Sequence, residues 1–93
     1  MAVTSRWPLV SKQEWIQLTQ SLELSPRQAD IVERLLHGES DKQIALELKI
    51  SVPTVRTHLR RLFRKFGVDD RVELILYIVA SLRLDTMRPL KVP

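Results

Sequence analysis

The chain has 93 residues, the length of one domain, and it has no cysteine, which excludes disulfide frameworks and thiolate metal sites. Fifteen lysines and arginines against eleven acidic residues give a formal net charge of +4. The first twenty residues contain no long apolar run, so no signal peptide or membrane span is predicted and we expect a cytoplasmic protein without a membrane partner.

The N-terminal part of the chain predicts one short amphipathic helix, from about Lys12 to Leu22. Ser11 and Glu14 have the spacing of a capping box, and Val10 precedes it in position to pack on Trp15. A helix this short is not stable alone and must dock on another element. Residues 1–23 are therefore predicted to be an extension with one helix.

Two further helices are predicted before residue 50, each with a serine cap. Ser25 followed by Pro26 starts a helix that runs through Leu36 and ends at Gly38. A third helix runs from about Asp41 to Leu48. Their capping boxes are Ser25 with Gln28 and Ser40 with Gln43.

The next helix spans residues 52–66 and follows a three-residue turn, Lys49-Ile50-Ser51. A short helix, a three-residue turn and a longer helix are the arrangement of a helix-turn-helix. Residues 52–67 carry five cations and no acid, or +5, whereas the remainder carries ten cations and eleven acids, or −1. Such a concentration indicates an anionic partner surface, although a solvated helix face is the alternative.

The last predicted helix runs from about Arg71 to Arg83, with Asp70 and Glu73 as a fourth capping box. It is apolar on more than one face. The apolar face that does not pack within the domain therefore needs a second partner. That partner is either a second copy of the chain or the N-terminal helix. The predicted dimer contacts are Val72, Leu76 and Val79. The fold is thus all-α, with an N-terminal helix, a helix-turn-helix domain at 24–84 and a tail at 85–93.

The outward face of residues 52–66 supplies the candidate binding residues. With Val55 and Leu59 facing inward, Arg56, Thr57 and Arg60 face outward near the end that enters the major groove in this motif. Arginine can bond guanine O6 and N7, and a threonine methyl can meet a thymine methyl. Phosphate contacts position a protein on DNA but do not distinguish base sequences. The predicted phosphate contacts are Lys42, Thr54, His58, Arg61, Arg64 and Lys65.

Several motifs resemble the LuxR/FixJ-type (GerE-like) helix-turn-helix domain of bacterial transcription regulators, in register from residue 24 to about 82. They are Leu24-Ser-Pro-Arg-Gln, Gly38, Lys42-Gln-Ile-Ala, Ile50-Ser, Thr54-Val-Arg-Thr-His-Leu, Lys65-Phe-Gly-Val and Arg71-Val-Glu-Leu. The resemblance implies four helices, the third of which reads the major groove, and dimerisation through the fourth on palindromic sites. It matches Arg56, Thr57 and Arg60 to base readers, and Lys42, Thr54 and His58 to backbone contacts.

The chain departs from the family pattern in two respects. Position 28 is usually a glutamate that pairs with the arginine opening the last helix, whereas Gln28 here predicts a neutral hydrogen bond to Arg71. The family also usually carries a receiver or ligand-binding domain ahead of this one. The 23 preceding residues cannot hold either, so the chain resembles a stand-alone member or a separated effector domain.

Other functions find little support in the residues. An enzyme is not expected, because there is no glycine-rich phosphate loop and no cluster of histidines with carboxylates. No cofactor is predicted, and His58, with His37 as the other histidine, does not make a metal site. Three hypotheses remain: a dimeric regulator that binds double-stranded DNA, a sigma-factor-like module that docks on RNA polymerase, and a structural or dimerisation module.

Overall fold

The structure, a computed structural model, describes residues 11–87, which form five α-helices and no strand. The helices are α1 (Lys12–Ser21), α2 (Pro26–Leu36), α3 (Asp41–Leu48), α4 (Val52–Phe66) and α5 (Arg71–Met87). The predicted all-α fold, an added helix followed by four others, is therefore confirmed. None of the described helices is both long and apolar enough to cross a membrane.

Three of the five helices begin with the capping boxes that the sequence predicts. At α1, Ser11 Oγ accepts the Glu14 N–H at 3.1 Å, and Glu14 Oε1 accepts the Ser11 N–H at 2.8 Å. The same reciprocal bonds join Ser25 with Gln28 and Ser40 with Gln43. Each cap contributes about 1 kcal/mol, so these helices start at defined residues.

The start and the end of α5 differ from the prediction. Asp70 Oδ1 accepts the Glu73 N–H at 2.9 Å, as predicted, but Glu73 Oε1 accepts the N–H of Asp69 rather than that of Asp70. The helix continues to Met87, about one turn beyond Arg83, so the predicted tail begins inside it. The predicted Val10–Trp15 contact, the rest of residues 1–10 and the tail residues 88–93 lie outside the described residues.

The connections around α3 and α4 use left-handed backbone conformations. Gly38 ends α2 with φ +79° and Gly67 ends α4 with φ +67°, which a glycine adopts at little cost. Lys49 takes φ +60° in the turn between α3 and α4, and the Ile50 N–H donates to the Ala45 carbonyl at 3.0 Å. These tight closures fix the start of α4 directly after α3.

The core is one cluster to which all five helices contribute. Its buried members are Leu18, Ile31, Val32, Leu35, Ile44, Ala45, Val55, Leu59, Leu62, Leu74, Ile78 and Leu82. The helix α4 packs against α2, α3 and α5, and α1 packs on α5. Because α4 buries only the stripe of Val55, Leu59 and Leu62, its opposite face is left to solvent.

We expect Leu62→Ala to lower the free energy of unfolding by about 2–5 kcal/mol, because Leu62 is fully buried where α4 meets the core. The matched control is Leu46→Ala on α3, where the leucine is 77% exposed and the change should stay within about 0.5 kcal/mol. Urea unfolding followed by circular dichroism measures both. Equal losses would show that the core is not centred on α4.

Candidate nucleic-acid interface

The outward face of α4 is positively charged, and its arginines are not paired with acidic side chains of the described residues. A helix turns by about 100° per residue, so Thr57, Arg60, Arg61 and Arg64 project away from the buried stripe. The three arginines are exposed, and no carboxylate of the described residues lies within ion-pair distance of them. This surface retains its full charge for an external anion.

Two of the predicted base readers, Thr57 and Arg60, lie next to each other one turn apart. The Thr57 hydroxyl donates to the Pro53 carbonyl at 3.0 Å and accepts from Arg60 Nη2 at 3.3 Å. The hydroxyl is therefore occupied, and the methyl group is what Thr57 can offer to a base. Arg60 is held only by a neutral oxygen, so its guanidinium can be drawn to another acceptor.

The third predicted base reader, Arg56, lies on the flank of α4 that faces α3. Its Nε donates to Asp41 Oδ2 at 3.1 Å, while 61% of its side chain remains exposed. The other oxygen of the same carboxylate accepts from Arg71 Nη1 at 2.9 Å. Arg71 Nη2 also donates to the Glu39 carbonyl at 3.2 Å. One carboxylate on α3 thus connects α4 and α5.

Asp41 is held in its ionised form by these two arginines. Burial acts to raise the pKa of Asp41, but the hydrogen bonds and charges of Arg71 and Arg56 outweigh it, so the pKa lies below its usual value. The role of Asp41 was not evident from the sequence, where it stands only as the first residue of a short helix. The sequence offers only a weak indication of this role: Asp41 is an acidic residue after the cap Ser40, and its partners Arg56 and Arg71 are far away along the chain.

The predicted hydrogen bond between Gln28 and Arg71 is replaced by this ion pair. Gln28 Oε1 accepts the Ser25 N–H at 3.0 Å in its own capping box, and Arg71 bonds to Asp41. A guanidinium is bound more strongly by a carboxylate than by a neutral amide, which explains the change of partner. Arg71, the first residue of α5, is therefore bound to α3 and not to Gln28 of α2.

Two predicted phosphate contacts lie near the starts of helices. Lys42 is the second residue of α3 and is exposed. Thr54 lies in the first turn of α4, where its hydroxyl is 2.8 Å from that of Ser51 and its N–H donates to the same oxygen. Helix N-termini favour anions through their free N–H groups and their partial positive charge. Both residues thus lie at helix N-termini, although Ser40 and Ser51 already accept one N–H each there.

His58 is half-buried on the flank of α4 that faces α2. Burial lowers the pKa of His58 below its usual value, and the charges of Arg61 and Arg27 lower it further. This shift favours the neutral imidazole, which can donate one hydrogen bond. Arg27, which the sequence pattern did not single out as a site residue, is close enough to act on His58 because α2 packs on α4.

Lys65 differs from the other predicted phosphate contacts because its ammonium group is already bound. Lys65 Nζ donates to the Glu23 carbonyl, in the connection between α1 and α2, at 3.0 Å. Next to it, Phe66 stacks on Tyr77 of α5 with ring centroids 4.7 Å apart. The end of α4 is thus attached to two other elements, and a phosphate contact by Lys65 stays a prediction.

An apolar stripe on α5 remains open to solvent. Val72 is 63% exposed and Leu76 is 62% exposed, whereas Val79 is half-buried. The three residues recur at intervals of four and three and so share a face. Although α1 packs on α5, it leaves this stripe uncovered. Among the described residues, the predicted cover of this stripe by the N-terminal helix is not seen.

Comparison with known proteins identifies relatives of this part of the chain. Residues 22–78 match a family model described as bacterial regulatory proteins, luxR family. The probable transcriptional regulatory protein NarL of Mycobacterium tuberculosis is 37% identical over 62 residues, covering 67% of this chain and 29% of that protein. The nitrate/nitrite response regulator protein NarP of Escherichia coli is 47% identical over 49 residues, 53% of this chain and 23% of that protein.

A third relative is the glycerol metabolism activator of Pseudomonas putida, 43% identical over 53 residues, which cover 57% of this chain and 24% of that protein. The chain thus spans less than a third of the length of each of these relatives. No solved structure matches the chain. The matched residues include all of α2, α3 and α4 and about half of α5.

The pH dependence of stability should report on Asp41. Because its pKa is lowered in the folded state, its stabilising effect is present above its unfolded pKa, near 3.8, and is lost as the pH falls through the folded value. We expect Asp41→Asn to cost about 1.5–3 kcal/mol at neutral pH, and the difference from wild type to shrink below about pH 4.

Urea unfolding at a series of pH values measures this difference. The control is Asp30→Asn, which removes an exposed carboxylate from α2 that makes no ion pair with the described residues. A cost of Asp41→Asn that stays constant down to pH 2.5 would contradict the assignment.

Proposed function

Because the chain belongs to the luxR family of bacterial regulatory proteins, we propose that it binds double-stranded DNA sequence-specifically and regulates transcription as a dimer, with α4 in the major groove. Its relatives are named as transcriptional regulators and activators, and membership in this non-enzymatic class confirms the expectation that it is not an enzyme. The position of α4 in the groove and the dimer are our inferences from the geometry.

The observation that carries the proposal is the uncompensated cationic face of α4. Arg60, Arg61 and Arg64 project opposite the buried stripe, and α3 with its short turn holds the beginning of the helix in place. A helix-turn-helix inserts the N-terminal part of its second helix into the major groove. The arrangement supplies both a surface of matching charge and a fixed angle of approach.

The residues of this face divide by position into two roles. Arg56, Thr57 and Arg60 lie within about one turn of each other in the middle of α4 and are proposed to read base edges, with guanine as the expected partner of the arginines. The proposed phosphate contacts surround them: Lys42, Thr54, His58, Arg61, Arg64 and Lys65. Arg27 joins them because it lies near His58.

The open stripe of α5 supports the proposed dimer. Val72 and Leu76 present two large apolar side chains to solvent on one face of a helix, and a second copy of that face would cover them. A symmetric contact between two α5 helices would relate the two α4 helices by a two-fold axis. Such a dimer would favour half-sites arranged as a palindrome.

The RNA polymerase alternative has less support. Neither the names of the relatives nor the described surface points to a site for that partner, whereas the charge of α4 fits a polyanion. A direct test is binding to a pool of random duplexes at graded salt, followed by selection and sequencing of the bound DNA. We expect binding that weakens steeply with salt and a selected consensus with two half-sites. Absence of binding to any duplex at low salt would overturn the proposal.

The division into base and phosphate contacts predicts different losses from two arginine substitutions. Arg60→Ala should cost about 1–3 kcal/mol on the selected site and relax the base preference at one position. Arg64→Ala, which removes the same charge one turn further along, should weaken binding to all duplexes about equally and reduce the salt dependence. Fluorescence anisotropy on specific and scrambled duplexes measures both, and equal effects on selectivity would refute the division of roles.

The dimer contact predicts that Leu76→Glu raises the monomer fraction, because a charge placed in an apolar contact must be desolvated. The matched control is Leu46→Glu, a substitution at an exposed leucine of α3 that should leave association unchanged. Sedimentation velocity across a concentration series measures the monomer fraction. The helix is expected to remain folded because Leu76 is 62% exposed, and circular dichroism verifies this. An unchanged profile would exclude the α5 stripe as the interface.

A further inference from the structure

We propose that Asp41 is a specificity-determining residue that positions Arg56 as a reader of one guanine. Asp41 does not touch DNA in this role; it acts by holding the guanidinium in the orientation that a guanine edge requires. The inference rests on the proposed DNA-binding function and deepens it, because it assigns a base to one position of the site. It concerns a residue of α3, outside the recognition helix.

The atoms of the contact make this orientation specific. Asp41 Oδ2 accepts from Arg56 Nε, the inner nitrogen of the guanidinium, at 3.1 Å. The two outer nitrogens, Nη1 and Nη2, make no hydrogen bond to any described residue. Guanine offers two acceptors side by side, O6 and N7, and the outer pair of nitrogens matches them. The carboxylate therefore occupies a donor, the Nε–H, that bidentate recognition by the two outer nitrogens does not use.

The carboxylate is itself fixed in place. Asp41 Oδ1 accepts from Arg71 Nη1 at 2.9 Å, and Arg71 is bound in turn to the Glu39 carbonyl. Only 19% of the Asp41 side chain is exposed, and the residue lies at the N-terminus of α3, where a negative charge is favourable. Arg56 is thus attached to a rigid support before DNA arrives, so less conformational freedom is lost when it binds a base.

The same carboxylate has a second, opposite effect on binding. It is a negative charge beside the face that approaches the phosphates, so it weakens association with duplexes of any sequence. Asp41 should therefore strengthen selectivity and reduce non-specific affinity at the same time. Arg60 contrasts with Arg56, because its partner is the neutral hydroxyl of Thr57 and brings no such repulsion.

The decisive variant is Asp41→Asn, tested on the full chain with the selected duplex and with duplexes that replace each guanine in turn. We expect the preference for guanine at one position to fall roughly tenfold, while binding to unrelated duplexes at low salt increases severalfold. Simple destabilisation would weaken both. The control is Asp30→Asn, which removes an exposed carboxylate from α2 and should change neither the base preference nor the ranking of duplexes.

A second variant, Arg56→Lys, leaves the bond between Asp41 and Arg71 in place. A lysine has one nitrogen and cannot bind the carboxylate and both guanine acceptors in this geometry, so the same guanine preference should be lost. In the Arg56→Lys background, Asp41→Asn should then have no further effect on selectivity. Circular dichroism shows whether each variant is folded, and if Asp41→Asn is not, retention of the guanine preference by Arg56→Lys still overturns the inference.

The possible results separate this inference from the function on which it rests. Wild-type protein that binds no duplex overturns the proposed function and the role of Asp41 with it. Wild-type protein that selects a site, while folded Asp41→Asn keeps its full guanine preference, overturns only the role of Asp41. Retention of that preference by Arg56→Lys does the same. The inference is supported if both single variants lose the guanine preference and the double variant loses no more than Arg56→Lys alone.

Discussion

The packing of one face of α4 against three other helices is the contact on which the remaining structure depends. Val55, Leu59 and Leu62 bury a narrow stripe, Phe63 and Phe66 pack beside it, and most of the remaining surface of α4 faces solvent. Because that remainder contains five cations and no acid, burial of the stripe also concentrates the positive charge of the domain on one surface. The hydrophobic core and the electrostatic surface are two results of the same helical periodicity.

The short helix α3 gives this surface its direction. It is linked to α4 by a closed turn, and its first residue, Asp41, carries the ion pairs to α4 and α5. A carboxylate shared by two arginines is stronger as a structural element than an exposed pair, because most of its side chain is shielded from water. The helix that would enter the groove and the helix that would form the dimer are therefore oriented relative to a common charge.

The local signals of the sequence were sufficient for the fold, whereas contacts between distant residues were not visible in it. Serine caps, glycine stops and apolar stripes act within a few residues, so the bounds of α2, α3 and α4 could be predicted. Asp41 pairs with residues 15 and 30 positions away, and Lys65 with a carbonyl 42 positions away. Such partners depend on how the helices pack. The sequence pattern therefore predicts Gln28 as the partner of Arg71, whereas in the structure the partner is Asp41.

The contact between Lys65 and Glu23 has a consequence for how the chain can diverge. Lys65 binds the backbone oxygen of residue 23, not its side chain, so replacement of Glu23 leaves the acceptor in place. The φ of +56° at this position even favours glycine or asparagine over glutamate. The attachment of the α1–α2 connection to α4 therefore depends on the side chain of Lys65 but not on that of residue 23. Mutational tolerance should be broad at position 23 and narrow at position 65.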